Sequence, residues 1–137
     1  MIVVDTNVIG YLYLTSERSV QAEQAFLKDQ RWAAPLLWRS EFRNVLAICL
    51  RRKVLTLETA RQIMNEAMDL MSGREYEVVS SHVLHLVAQS TCSAYDCEFV
   101  ALAQDLGVPL VTVDRQVLAQ FPDIALELGS YAAGKGR

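Results

Sequence analysis

Four acidic side chains stand where an ordinary core or turn would not ask for them: Asp5, Glu41, Asp96 and Asp114. Asp5 closes the apolar run Ile2-Val3-Val4, and Asp114 closes Leu110-Val111-Thr112-Val113. Both runs read as short buried strands, so both acids fall at a strand's carboxyl end, the rim where open α/β sheets bind their ligands. Glu41 has Leu37, Val45 and Ile48 one and two helical turns away, an apolar stripe expected to face the core. Asp96 opens a helical segment whose next inward positions are Phe99, Val100 and Ala103. A helix N-terminus favours a carboxylate by about 0.3–1 kcal/mol, less than a buried charge costs.

Each acid has a local explanation as well. Asp5 can cap the next helix, Asp96 can complement a helix dipole, Asp114 can serve a turn before a helix, and Glu41 can pair with Arg39 or Arg43. Gathered on one crevice they mean something else, because like charges that close raise one another's pKa or require a cation. Oxygen donors with no histidine or thiolate among them select a hard divalent ion, Mg2+ or Mn2+. Such ions keep several waters and usually hold a phosphate, so the implied chemistry is phosphoryl or phosphodiester transfer.

The elements that must position these residues alternate along the chain. Strands are expected at Ile2 to Val4, Trp32 to Ala34, Tyr76 to Val79, Leu110 to Val113 and Ile124 to Leu126. Helices are expected from Thr6 or Asn7 to Tyr13, Ser19 to Asp29, Leu37 to Arg52, Thr56 to Met71, Ser80 or Ser81 to Gln89, Tyr95 to Leu106 after a Ser93 cap, and from Arg115. Gly107 stops the sixth in the usual C-terminal position. The alternation predicts a three-layer α/β/α domain with a mainly parallel sheet flanked by helices. It predicts a single domain over 1–128 and a flexible tail over 129–137.

The bulk properties agree with one globular unit: 137 residues, 52% hydrophobic and 21% charged. No apolar run approaches a membrane span, and the start lacks the basic region and cleavage site of a signal peptide. Cys49, Cys92 and Cys97 form no C-x-x-C pair, which suits a reducing cytoplasm better than a disulfide framework or a zinc ribbon. Net charge is −3 and the pI about 5.3, so the whole-protein field does not attract nucleic acid. Locally, Arg39, Arg43, Arg51, Arg52 and Lys53 lie within fifteen residues that hold one acid, Glu41.

The segments VDTNV at 3–7, SEFRNVL at 40–46 and SAYDCEFVALAQDLGVPLVTVD at 93–114 resemble the PIN-domain ribonucleases, in particular the VapC-like toxins of bacterial toxin-antitoxin pairs. The resemblance runs over nearly the whole chain. It implies that Asp5, Glu41, Asp96 and Asp114 form an acidic catalytic and metal site, with Thr6, Asn7 and Thr112 as polar support. It implies a PIN-like fold, endonucleolytic cleavage of RNA dependent on Mg2+ or Mn2+, a homodimer, and restraint by a cognate antitoxin. Arg39 and Arg43, one turn apart and flanking Glu41, become candidates for contact with RNA phosphates.

Other readings fit less well. A receiver-like phospho-acceptor wants adjacent acids after the first strand and a lysine after the last, where this chain has Thr6-Asn7 and Arg115. A haloacid-dehalogenase-like phosphatase wants a second aspartate where Asn7 stands. A PIN-like fold kept for protein binding, or a nuclease that is not a toxin, remains an alternative. His82 and His85 sit among Leu84, Leu86 and Val87 and read as part of a packed helix, and Cys97 reads as a small packing residue.

Overall fold

A computed structural model describes the protein over residues 1–134. Its five strands are β1 (Ile2–Val4), β2 (Trp32–Pro35), β3 (Glu75–Tyr76), β4 (Leu110–Thr112) and β5 (Ala125–Glu127). All neighbours pair in parallel, in the order β3-β2-β1-β4-β5. The three-layer parallel architecture expected from the alternation is therefore the one observed.

The helices are α1 (Thr6–Tyr13), α2 (Ser19–Lys28), α3 (Leu37–Arg51), α4 (Leu57–Met71), α5 (Ser80–Ala88), α6 (Ala94–Leu106), α7 (Arg115–Gln120) and α8 (Leu128–Ala132). The chain steps from β1 to β2 to β3 in one direction, then crosses to β4 and β5 on the other side of β1. Right-handed crossovers in opposite directions put α1 to α4 on one face of the sheet and α5 and α6 on the other. The contacts agree, since α1 packs on α2 and α3, α3 on α4, and α5 on α6, which lies against β1, β2 and β4.

The direction reverses at β1, and a crevice must open where its carboxyl end parts from β4. Val3 is in register with Leu110 and Val4 with Val111, and the Asp5 N–H continues the ladder to the Val111 carbonyl at 3.2 Å. Asp5 and Asp114 therefore emerge side by side from strands that are wholly buried.

Several expectations are corrected. The third strand is Glu75–Tyr76 rather than Tyr76 to Val79: the last ladder bond runs from the Leu36 N–H to the Tyr76 carbonyl at 3.0 Å, after which the chain on the β2 side enters α3 and Val79 has already turned to open α5. The α5 N-cap is Val79, without the side-chain bond expected from Ser80 or Ser81. Residues 129–132, expected in a tail, belong to α8: the Lys28 ammonium donates to the Tyr131 carbonyl at 2.9 Å and lies 4.1 Å over its ring, and Tyr131 is buried. Residues 135–137 of the expected tail lie outside the described residues. Among the described residues no helix is long and apolar enough to cross a membrane.

The stripe assigned to the core on α3 is also shifted by one residue. Trp38, Phe42 and Leu46 are the buried positions, whereas Leu37, Glu41 and Val45 are only partly covered and Ile48 is exposed. Two apolar stripes run side by side on this helix, and burial of the larger aromatic surface decides between them.

Trp38 donates its indole N–H to Glu75 Oε2 at 2.7 Å, and Arg39 clamps both Glu75 oxygens at 2.6 Å. This guanidinium, with help from the indole, holds the Glu75 carboxyl below its ordinary pKa. A lowered folded-state pKa contributes stability above the unfolded value that is lost as pH falls through the folded one. Glu75→Gln should therefore lower the melting temperature at pH 7, and the gap to the parent should close in a titration taken well below pH 4.

Candidate active site

Four different elements deliver the four acids. Asp5 follows β1, Glu41 sits on α3, Asp96 in the first turn of α6, and Asp114 between β4 and α7. All four line one cavity of about 280 Å³, together with Thr6, Asn7 and Thr112. The seven residues singled out as acidic ligands or polar support thus meet at one place.

The local explanations of three of these acids turn out to be true at the same time, whereas Glu41 pairs with neither Arg39, which is bound to Glu75, nor Arg43, which donates to the Arg39 carbonyl. Asp5 is the N-cap of α1, its Oδ1 accepting from the Val8 N–H at 3.0 Å, which displaces the cap expected from Thr6 or Asn7. Asp114 caps α7 through Oδ1, which accepts from Gln116 and Val117 at 2.9 and 3.0 Å. Ser93 Oγ accepts from the Asp96 N–H at 3.1 Å and the Asp96 carboxylate reaches back to the Ser93 backbone, a reciprocal cap. Capping fixes where each carboxylate sits without exhausting its lone pairs.

Thr6 and Thr112 are the two buried polar residues of the described chain, and both serve the acids. Thr6 donates to Glu41 Oε1 at 2.6 Å. Thr112 donates to Asp5 Oδ2, which also accepts from the Val113 N–H at 3.3 Å, and Thr112 Oγ1 accepts from the Asp114 N–H at 3.0 Å. One hydroxyl thereby ties the carboxylate after β1 to the backbone after β4.

Crowding shows in the titration of the site. Burial pushes the Asp5 carboxyl above its ordinary pKa, the Thr112, Val8 and Val113 donors oppose the rise, and the charge of Asp114 adds to it. Glu41 is raised by burial, opposed by Thr6, and raised again by Asp96 and Glu98. Asp96 is raised by burial and then by Asp114. The repulsions form a chain from Asp5 through Asp114 and Asp96 to Glu41.

Among the described residues no three His, Cys, Asp or Glu side chains are gathered closely enough to form a ready-made metal cage. The carboxylates instead line an open cavity. An all-oxygen donor set of that kind fits Mg2+ or Mn2+, which take few carboxylates, keep water and share a phosphate, better than it fits Zn2+. The residues present fit the ion that the chemistry implies.

A raised folded-state pKa has a stability consequence of the opposite sign to that of Glu75. The ionised Glu41 carboxylate weakens the fold, and the penalty is present above its folded pKa and absent below its unfolded one. Glu41→Gln keeps an oxygen for Thr6 and removes the charge. It should raise the melting temperature of the metal-free protein at pH 7 by roughly 2–4 °C, with no gain at pH 4.

Arg39 and Arg43 are not brought to the cavity. Arg39 is committed to Glu75, and Arg43 Nε donates back to the Arg39 carbonyl at 3.0 Å. Asn44, which was not singled out, lines the cavity instead, and its place three residues after Glu41 was the available signal. His82 bonds Gln104 at 2.8 Å and faces Asp105 at 3.1 Å, joining α5 to α6. Cys97 is buried and its thiol raised by that burial, as a packing residue should be.

The sequence matches the PIN domain family over residues 2–124. It is 32% identical over 124 residues to ribonuclease VapC3 of Pyrobaculum aerophilum, an alignment covering 88% of this chain and 95% of that protein. The fold is similar to the crystal structure of PAE2754 from Pyrobaculum aerophilum, with a TM-score of 0.73 at 18% identity over 98% of this chain and 95% of that one. It is similar also to a toxin-antitoxin complex from Klebsiella pneumoniae, with a TM-score of 0.70 at 17% identity over 93% of this chain and 98% of that one.

Proposed function

The chain belongs to the PIN-domain family, and from that premise we propose that it is an endoribonuclease dependent on Mg2+ or Mn2+ and the toxin of a toxin-antitoxin pair. The observation that carries this reading is the meeting of Asp5, Glu41, Asp96 and Asp114, from four separate elements, on one cavity at the sheet's switch point. The relative named a ribonuclease and the fold shared with a toxin-antitoxin complex support it.

In this reading the four carboxylates hold the ion. When bound, the ion supplies acidity to a water and neutralises charge developing on the phosphate. The chain's own groups do the rest. Thr112 donates to Asp5 and keeps that buried carboxylate available in its charged form, and Thr6 fixes the direction of Glu41. Asn7 and Asn44 present amides at the cavity wall, where they can donate to a phosphate oxygen. With Arg39 occupied, attraction for the RNA backbone falls to the exposed Arg51, Arg52 and Lys53 at the far end of α3. A homodimer, a cognate antitoxin, a cytoplasmic site of action and a single domain belong to the same proposal.

The test is cleavage of end-labelled RNA by the purified protein. Fragments should appear with Mg2+ or Mn2+, vanish with EDTA and return when the ion is restored in excess. Cleavage that persists unchanged in EDTA would remove the metal from the mechanism. Absence of cleavage on any RNA, together with normal growth of cells expressing the protein, would remove both the ribonuclease and the toxin.

A further inference from the structure

A second cavity, of about 150 Å³, adjoins the acidic one and shares Thr6, Asn7 and Val45 with it. Its remaining wall is Gly10 and Tyr11 of α1 and Leu14, which caps that helix, with Thr15 and Ser16 just beyond. The spacing explains the shape: Thr6 and Asn7, Gly10 and Tyr11, and Leu14 are four residues apart in turn and so share one face of the helix. None of the carboxylates lines it. The two cavities therefore lie side by side across the Thr6, Asn7 and Val45 wall, one anionic and suited to a hydrated cation, the other bearing an aromatic residue and suited to a ring.

We infer that the second cavity is a nucleobase subsite, which seats the base of the nucleotide beside the scissile phosphate against Tyr11. The inference rests on the RNA reading above and names where the substrate's base is held. A cavity of about 150 Å³ accepts one aromatic ring, and this one shares the Thr6, Asn7 and Val45 wall with the place proposed for the phosphate. A nucleotide has the same polarity as this pair of cavities, with charge at one end and a flat π-face at the other. Tyr11 supplies a face on which any base can stack. Thr15 and Ser16 line the cavity and are exposed; the Thr15 hydroxyl can donate to or accept from a base edge and the Ser16 hydroxyl, which accepts from the Arg18 N–H at 3.1 Å, can donate to one, the means by which one base is preferred over another.

The experiment has two arms. In the first, the wild-type protein, Tyr11→Ala and Tyr11→Phe digest a randomised RNA pool in Mg2+, and the bases flanking each cut are counted. The wild type should prefer one base at one flanking position. Tyr11→Phe should keep the preference, and Tyr11→Ala should lose it with a rise in KM of roughly tenfold, larger than any fall in kcat. Thr15→Trp, which fills the opening from an exposed position, should lose the preference in the same way and serves if Tyr11→Ala does not fold. In the second arm, AMP, GMP, CMP and UMP are titrated without metal, followed by NMR shifts of the tyrosine ring protons.

An unchanged base preference in both Tyr11→Ala and Thr15→Trp overturns the subsite. It is equally overturned if those variants cut normally but escape inhibition by the antitoxin, which would give the cavity to a protein partner. If the wild type cuts no RNA, the ribonuclease reading fails and the second arm decides alone. Saturable mononucleotide binding, weakened by Tyr11→Ala, then upholds the subsite, and its absence overturns it.

Discussion

Asp5→Asn should reduce RNA cleavage at least about 100-fold, since even partners that only orient a metal's ligands cost about 10–100-fold when removed. The substitution is informative because it changes so little else. Asparagine keeps an oxygen for the Val8 N–H and so preserves the α1 cap. Its amide can donate to Thr112 Oγ1, and the one unfavourable meeting is with the Val113 N–H, at 3.3 Å the longest bond the carboxylate makes. Burial already opposes ionisation of Asp5, so loss of the charge offsets loss of that bond. The variant should melt within a few degrees of the parent while its cleavage rate collapses. Asp5→Asn cutting RNA at the parental rate would take Asp5 out of the chemistry.

Thr112→Val should act on both properties at once. The valine fills the same space, but Asp5 Oδ2 loses a donor and the Asp114 N–H loses an acceptor, both beside a residue that is 1% exposed. An unsatisfied buried group costs about 1–3 kcal/mol, so a loss of roughly 2–4 kcal/mol is expected from a total that is typically 5–15 kcal/mol. With its donor gone the Asp5 carboxyl rises further, so the pH at which cleavage reaches half its maximum should move up. Thr112→Ser restores the hydroxyl and should recover most of both losses. A Thr112→Val protein with parental stability would mean that the hydroxyl is not needed to join the two strand ends.

The candidate site was legible because its residues violate local expectations. A carboxylate after a buried strand, as at Asp5 and Asp114, and an acid beside an apolar stripe, as at Glu41, are visible without a fold. The strands other than β3, and the Thr56, Ser93 and Gly107 helix signals, depend on near neighbours, and each is found within a residue of where it is expected. What failed depends on distant partners. Arg39 looked free for phosphate because nothing near it in the chain reveals Glu75, which arrives through the pairing of Ala34 with Glu75 in β2 and β3. Tyr131 looked like tail because Lys28 is 103 positions away. On α3, periodicity allowed two apolar stripes, and only packing against the rest of the core could place Trp38 and Phe42 inward and leave Glu41 at the cavity.

The position of β1 in the sheet has a consequence for biosynthesis. Its three residues are made well before its neighbour on the side of the acidic cavity, β4, which lies more than a hundred residues later. At roughly 5–20 residues per second, a nascent chain carries Asp5 for several seconds before Asp96 and Asp114 exist. During that interval the first strand has no partner on that side, and the carboxylates of the site are not yet together. The acidic cavity can therefore assemble only after the segment through Asp114 has been made, however early Asp5 appears.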